Sequence, residues 1–140
     1  RLLRKFDTAK TLVPAAEIIP AAKKTSDGVI FFGTSTTATY EALDLLAEDG
    51  HYVDALRLKA FPFTQEVEDF IASHERVFVI EQNRDGQMRK MLIIECDVDP
   101  KKLKLVRHYN GTPITARYIS NQIRALKGGA SVTQIRRKTG

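Results

Sequence analysis

A chain of 140 residues is long enough for one ordinary domain with a buried core. Its 43% hydrophobic and 28% charged residues are the balance of a globular protein, not of a disordered one. No apolar run approaches the roughly 20 residues of a membrane span, and the charged opening RLLRKFDTAK has no apolar stretch behind it, so it is not a secretory signal. The net charge of +5 hides an asymmetry, because residues 101–140 carry ten bases and no acid. A solvated or subunit-facing basic end is the reading favoured over nucleic acid, since no aromatics are interleaved with Arg136-Arg137-Lys138. The chain does not begin with Met, which accords with a segment of a longer gene product.

Residues 1–27 read as a connector, with Pro14, Pro20 and two alanine pairs. The short apolar piece Ile18-Ile19 between those prolines suits an edge strand. From Gly28 the pattern becomes regular. Val29-Ile30-Phe31-Phe32 is a continuous apolar run ending in Gly33, as expected of a strand buried on both faces. Thr34 to Thr37 offer N-cap choices, and Tyr40, Leu43, Leu46 and Ala47 recur at helical spacing up to Gly50. A second strand, 53–58, ends near Phe61-Pro62-Phe63, and Val67, Phe70 and Ile71 predict a helix after Thr64. Val77-Phe78-Val79-Ile80 is the third buried run and stops at Glu81-Gln82-Asn83. Asp85-Gly86-Gln87 opens a helix through Met88, Met91, Leu92 and Cys96, and 103–106 is a further strand. Asn110-Gly111 turns the chain. Thr112-Pro113 is the expected start of a last helix, along which Ile114, Tyr118, Ile119 and Ile123 share a face until Gly128-Gly129. Strands alternating with helices predict a parallel three-layer α/β sheet, because each parallel crossover needs a helix.

Ligands of open α/β sheets collect at the carboxyl ends of the strands. Four segments are expected to meet there: Gly33-Thr34-Ser35, Phe61-Pro62-Phe63, residues 81–87, and His108 to Thr112. A valine-rich strand ending in a carboxylate and two carboxamides puts polar groups where the apolar core stops. Glu81 is there an acid, a base or an anchor for backbone amides, and Asn83 a partner in capping the next helix. Gly33-Thr34 seats an anion or merely caps a helix. His51 and His74 fall at helix-to-strand turns, far from His108, which excludes a shared metal site. Cys96, the single cysteine, lies in a helical apolar context and reads as a structural thiol. No G-x-S-x-G elbow, P-loop or dinucleotide fingerprint occurs.

The stretches KFDTAKTLVPAAEI, GVIFFGTSTTATYEALDLLAEDG, AFPF, VFVIEQNRDGQMRKML and HYNGTPITARYI resemble the C-terminal part of the alpha subunit of 2-oxoacid:ferredoxin (acceptor) oxidoreductases, the 2-oxoglutarate type most of all. The resemblance covers roughly residues 5–125. It implies a domain similar to the transketolase C-terminal domain: an α/β/α sandwich on a mostly parallel five-stranded sheet with one antiparallel strand, for which Ile18-Ile19 is the candidate. The organisation expected for the chain is a connector over 1–27, the α/β domain over 28–127 and a basic, flexible tail over 128–140, the last without a counterpart in the family.

The single cysteine, which excludes an internal disulfide, points to a reducing cytoplasm, and the resemblance further implies an enzyme that decarboxylates a 2-oxo acid on thiamine diphosphate with Mg. Electrons pass through iron–sulfur clusters to ferredoxin, and the acyl group leaves on coenzyme A. None of these cofactors is expected to be bound by this domain alone. The expected partners are the beta subunit and the preceding domains of the same chain, with no membrane and no nucleic acid. Gly33, Thr34, Glu81, Asn83, Gly86 and Gln87 match the family's strand-end motifs. They are expected to line the approach to the active site or a subunit interface, with no catalytic residue among them. The rival reading, from a different class, is a free-standing α/β module for an anionic small molecule.

Overall fold

The computed structural model describes residues 2–128. Five strands form one sheet: β1 (Glu17–Ile19), β2 (Asp27–Phe32), β3 (Asp54–Leu58), β4 (Arg76–Glu81) and β5 (Leu103–Arg107). Their spatial order is β1-β3-β2-β4-β5; β1 is antiparallel to β3 and every other pair is parallel. The five helices are α1 (Leu2–Leu12), α2 (Thr36–Glu48), α3 (Gln65–Ser73), α4 (Gln87–Glu95) and α5 (Ala116–Lys127).

Side-chain alternation along the strands builds two cores, one on each face of the sheet. Val29, Phe31, Phe78 and Ile80 point to one face and pack with Ala42 and Leu46 of α2 and Ile119 and Ile123 of α5. Ile30, Val77 and Val79 point to the other and meet Val67, Phe70 and Ile71 of α3 and Leu92 of α4. This is why these strands read as unbroken apolar runs: both of their faces are covered.

The amino ends of the parallel strands are tied by buried polar groups. Asp27 and Arg76 are register partners at the starts of β2 and β4, and Arg76 donates to the Asp27 carboxylate through Nε at 2.8 Å and Nη2 at 3.1 Å. Lys127, in the last turn of α5, reaches the same carboxylate at 2.9 Å. Beside them the two ring nitrogens of buried His74 lie 2.6 Å from the Phe70 carbonyl and 2.9 Å from the Asp54 carboxylate. The other Asp54 oxygen accepts from the Ala21 amide at 2.7 Å, which ties the segment after β1 to the sheet.

Gly28 is a consequence of this packing. A Cβ on it would stand 2.8 Å from the Phe70 ring and 3.2 Å from His74 Cγ. Gly28→Ala is therefore expected to push α3 off the sheet and cost about 1–3 kcal/mol of stability, measurable as a lowered urea midpoint with an unchanged slope. A midpoint equal to that of the parent chain would show that the ring moves aside freely.

Three local features differ from the sequence expectations. Residues 2–12 form a helix where only a connector was expected; they contain no proline or glycine, and Pro14 follows the end of the helix. α2 has no side-chain cap from its threonines. A 3-10 turn over Gly33–Ser35 leads into it, and Ser35, Thr36 and Thr39 turn their hydroxyls back to the carbonyls of Phe32, Gly33 and Ser35. α5 begins at Ala116 with Thr115 as its N-cap, whose hydroxyl accepts from the Tyr118 amide at 3.1 Å; Thr112 instead closes a turn onto Asn110. The tail expected over 128–140 lies, Gly128 apart, outside the described residues.

Candidate functional site

The connection after β2 runs to α2, on the face shared with α5, whereas the connections after its neighbours β3 and β4 run to α3 and α4 on the opposite face. Adjacent strands whose chains leave in opposite directions open a crevice at their carboxyl ends, the place where open α/β sheets hold ligands. The sequence-predicted residues Gly33 and Thr34 lie on the β2 side of that crevice, and Glu81, Asn83, Gly86 and Gln87 lie on the β4 side. Phe61, 44% exposed, flanks it from β3 and stands edge-on to buried Phe63, their ring centres 5.3 Å apart.

Glu81 is fully buried at the end of β4. One carboxylate oxygen accepts from the Met88 amide at 2.7 Å and from Asn83 Nδ2 at 2.9 Å, and the other accepts from the Arg89 amide at 3.1 Å. Asn83 Oδ1 accepts from the amides of Asp85 at 3.2 Å and Gln87 at 3.3 Å. With Lys90 donating to the Gly86 carbonyl, every amide of the first turn of α4 has an acceptor. Gly86 permits this arrangement: it has a φ of 62°, and a Cβ there would stand 3.1 Å from Leu105 and 3.6 Å from the Glu81 carboxylate. Of the roles left open for Glu81, the geometry supports the anchor for backbone amides. Gln87 contributes its backbone amide to the cap, and its side chain is exposed.

Across the crevice Gln82 Nε2 donates to Thr34 Oγ1 at 2.7 Å. This exposed bond is the direct side-chain link between the β2 and β4 ends. Gln82 belongs to the strand-end segment 81–87 expected at the crevice but is not among its candidate site residues, although a signal existed. Strand alternation sends residue 82 to the face of Ile80, the face toward which β2 delivers Thr34. His108, at the end of β5, packs edge-on against Tyr118 at 4.9 Å between ring centres. His51 and His74 lie at the amino ends of the strands, as their helix-to-strand positions predicted. Cys96 ends α4, half-buried. Burial, with the nearby Glu68 charge, pushes its thiol up to about 11, so it is a thiol and not a nucleophilic thiolate at neutral pH.

These features define a class: a three-layer α/β domain with one antiparallel edge strand and an ordered polar rim at its switch point. No protein-family model matches the chain. Among curated proteins it is similar to subunit alpha of 2-oxoacid:ferredoxin oxidoreductase 2 from Aeropyrum pernix, with 24% identity over 128 residues. That match covers 88% of this chain and 20% of the relative, so the chain spans about a fifth of the relative's length.

Among solved structures it is similar to the 2-oxoglutarate:ferredoxin oxidoreductase of Magnetococcus marinus, determined with 2-oxoglutarate, coenzyme A and succinyl-CoA bound. That match has a TM-score of 0.74 and 22% identity, over 84% of this chain and 20% of that one. The alpha chain of a probable 2-oxoacid ferredoxin oxidoreductase from Thermoplasma acidophilum matches with a TM-score of 0.54 and 24% identity, over 80% of this chain and 96% of that one. At these identities the structural likeness establishes the fold. Curated and structural neighbours both point to the alpha subunit of 2-oxoacid:ferredoxin oxidoreductase.

Proposed function

We propose that this chain is the transketolase C-terminal-like domain of such an alpha subunit. In this reading it packs the subunits together and lines the approach to an active site that converts a 2-oxo acid, 2-oxoglutarate foremost, and coenzyme A to an acyl-CoA, with electrons passed to ferredoxin. The carrying observation is that the match to the alpha subunit runs through 128 residues, and thus through the sheet as a whole. The strand-end residues fit an ordering role. Glu81, Asn83 and Gly86 hold the β4–α4 turn in one conformation, so Gln87 is presented to a neighbour on a fixed frame.

The residues do not fit the enzyme's redox groups. One cysteine in the whole sequence cannot supply the thiolates of an iron–sulfur cluster. Among the described residues no group of three or more His, Cys, Asp or Glu is arranged to hold a metal ion. In this reading the clusters, Mg and thiamine diphosphate belong to the other domains and the beta subunit. Among the described residues no helix is long and apolar enough to cross a membrane, and a cytoplasmic setting is part of the same proposal. A free-standing binding module is not favoured, because the relatives are subunits of oxidoreductases.

The test is anaerobic, on the full-length chain purified with its neighbouring subunit. Viologen reduction is expected only when both a 2-oxo acid and coenzyme A are added. A complex shown to hold thiamine diphosphate and its clusters, yet inert toward 2-oxoglutarate, pyruvate and branched 2-oxo acids alike, would refute the assignment.

A further inference from the structure

In a β-strand the N–H and C=O of one residue point to one side, and those of the next residue point to the other. At the end of β5 the His108 amide donates to the Glu81 carbonyl of β4 at 2.9 Å, and Arg107 is the register partner of Glu81. Lys104, Val106 and His108 therefore turn their backbone groups toward β4. Leu103, Leu105 and Arg107 turn theirs outward, along an edge where β5 is the last strand among the described residues. Two of these three outward carbonyls are occupied by side chains. Arg89 of α4 donates through Nε to the Leu103 carbonyl at 2.8 Å and through Nη2 to the Pro100 carbonyl, just ahead of the strand, at 2.7 Å. Tyr118 of α5 donates its hydroxyl to the Arg107 carbonyl at 2.6 Å. Each donor stands about as close as the amide of an adjoining strand would. The two come from opposite layers, since α4 packs on one face of the sheet and α5 on the other.

We infer that Arg89 and Tyr118 are edge guards, which keep β5 from pairing with the same strand of a second copy of this chain. An exposed edge is a template for strand addition unless something blunts it. Here Leu105 alone lies between the two occupied carbonyls, and bonds made at one residue do not offset the ordering of an incoming strand. The sequence points the same way. Residues 101–107, KKLKLVR, hold three lysines, one arginine and no acid, so two such edges brought together repel. Charge alone is the weaker barrier, because salt screens it. The opposite edge is blunt for a different reason: β1 is three residues long, with Pro14 ahead of it and Pro20 directly behind. The domain therefore meets a neighbour through its helices and loops and not by extending its sheet.

The test uses the full-length chain purified with its neighbouring subunit, and its outcome does not depend on whether that complex turns over a 2-oxo acid. Arg89→Ala with Tyr118→Phe removes both guards and keeps the Tyr118 ring that packs on His108. Sedimentation should show the parent complex at one size across a range of concentrations. The double variant should associate further as concentration rises, and more so at high salt, where the lysines are screened. Its Leu105 amide should then exchange with solvent roughly tenfold more slowly than in the parent, the effect of a gained hydrogen bond. Using Arg89→Lys in place of Arg89→Ala returns a donor to the Leu103 carbonyl and should weaken the association. A double variant that sediments like the parent at every concentration and salt overturns the inference. So does association with unchanged exchange over 103–107, because the contact then lies elsewhere. If Arg89→Ala prevents assembly with the neighbouring subunit, Tyr118→Phe alone, which loses a single hydroxyl, decides between the same outcomes.

Discussion

Glu81→Ala should lower the unfolding free energy by about 3–5 kcal/mol, a large share of the roughly 5–15 kcal/mol typical of a domain. The carboxylate is fully buried and accepts three hydrogen bonds, two of them from first-turn amides of α4. Alanine leaves those amides and Asn83 Nδ2 without acceptors and opens a void beneath Gly86. Glu81→Gln keeps the volume but turns an amide donor toward another donor, at about 2 kcal/mol. Urea titration reads the loss directly, and hydrogen exchange localises it. The Met88 and Arg89 amides should exchange faster than those of α5, which the substitution does not touch. A change below about 1 kcal/mol for Glu81→Ala would mean that water or a neighbouring group serves the helix end as well as Glu81 does.

The second large effect belongs to the opposite end of the sheet. Asp27→Asn should cost about 2–4 kcal/mol, because it removes the charge that Arg76 and Lys127 share in a buried setting. Burial alone would raise the Asp27 carboxyl. The hydrogen bonds and charges of Arg76 and Lys127 outweigh it and hold the group below its ordinary value of 3.8. The sign follows from that direction. A group whose folded value is depressed contributes fully above its unfolded value and loses the contribution as pH falls through the folded one. The stability gap between the parent chain and Asp27→Asn is expected to be flat from about pH 5 upward and to close below about pH 4. A gap that does not narrow at all between pH 5 and pH 3 would assign the effect to packing and not to charge.

Most of the sheet was legible because its strands are buried on both faces. Val29 to Phe32 and Val77 to Ile80 leave no other use for a continuous apolar run between glycine or polar stops. The edge strand was legible from Pro14 and Pro20. Helix α1 was not, since its support comes from few contacts and from Lys10 beside Glu68 at 3.8 Å, an exposed pair of little weight. Helix starts were misread where a sequence offers several hydroxyls in a row. Thr112 and Thr115 are equally good caps on paper, and the choice falls to Asn110, which draws Thr112 into a turn. The candidate site shows the same limit. Its residue types pointed to the β4 end, but which groups engage one another depends on distances across the sheet, and those singled out Gln82.

The antiparallel direction of β1 sets where the molecule can be handled. Glu17 pairs with Arg57 near the carboxyl end of β3, and Ile19 pairs with Ala55 near its start. The chain thus comes into the sheet at the crevice end of β3, and the last turn of α5 lies next to Asp27 at the opposite end of the sheet. A fluorophore attached at the start of β1 would therefore stand at the crevice end of the sheet. One attached in the last turn of α5 would stand at the opposite end of the strands, so labelling chemistry aimed at sparing the crevice belongs there.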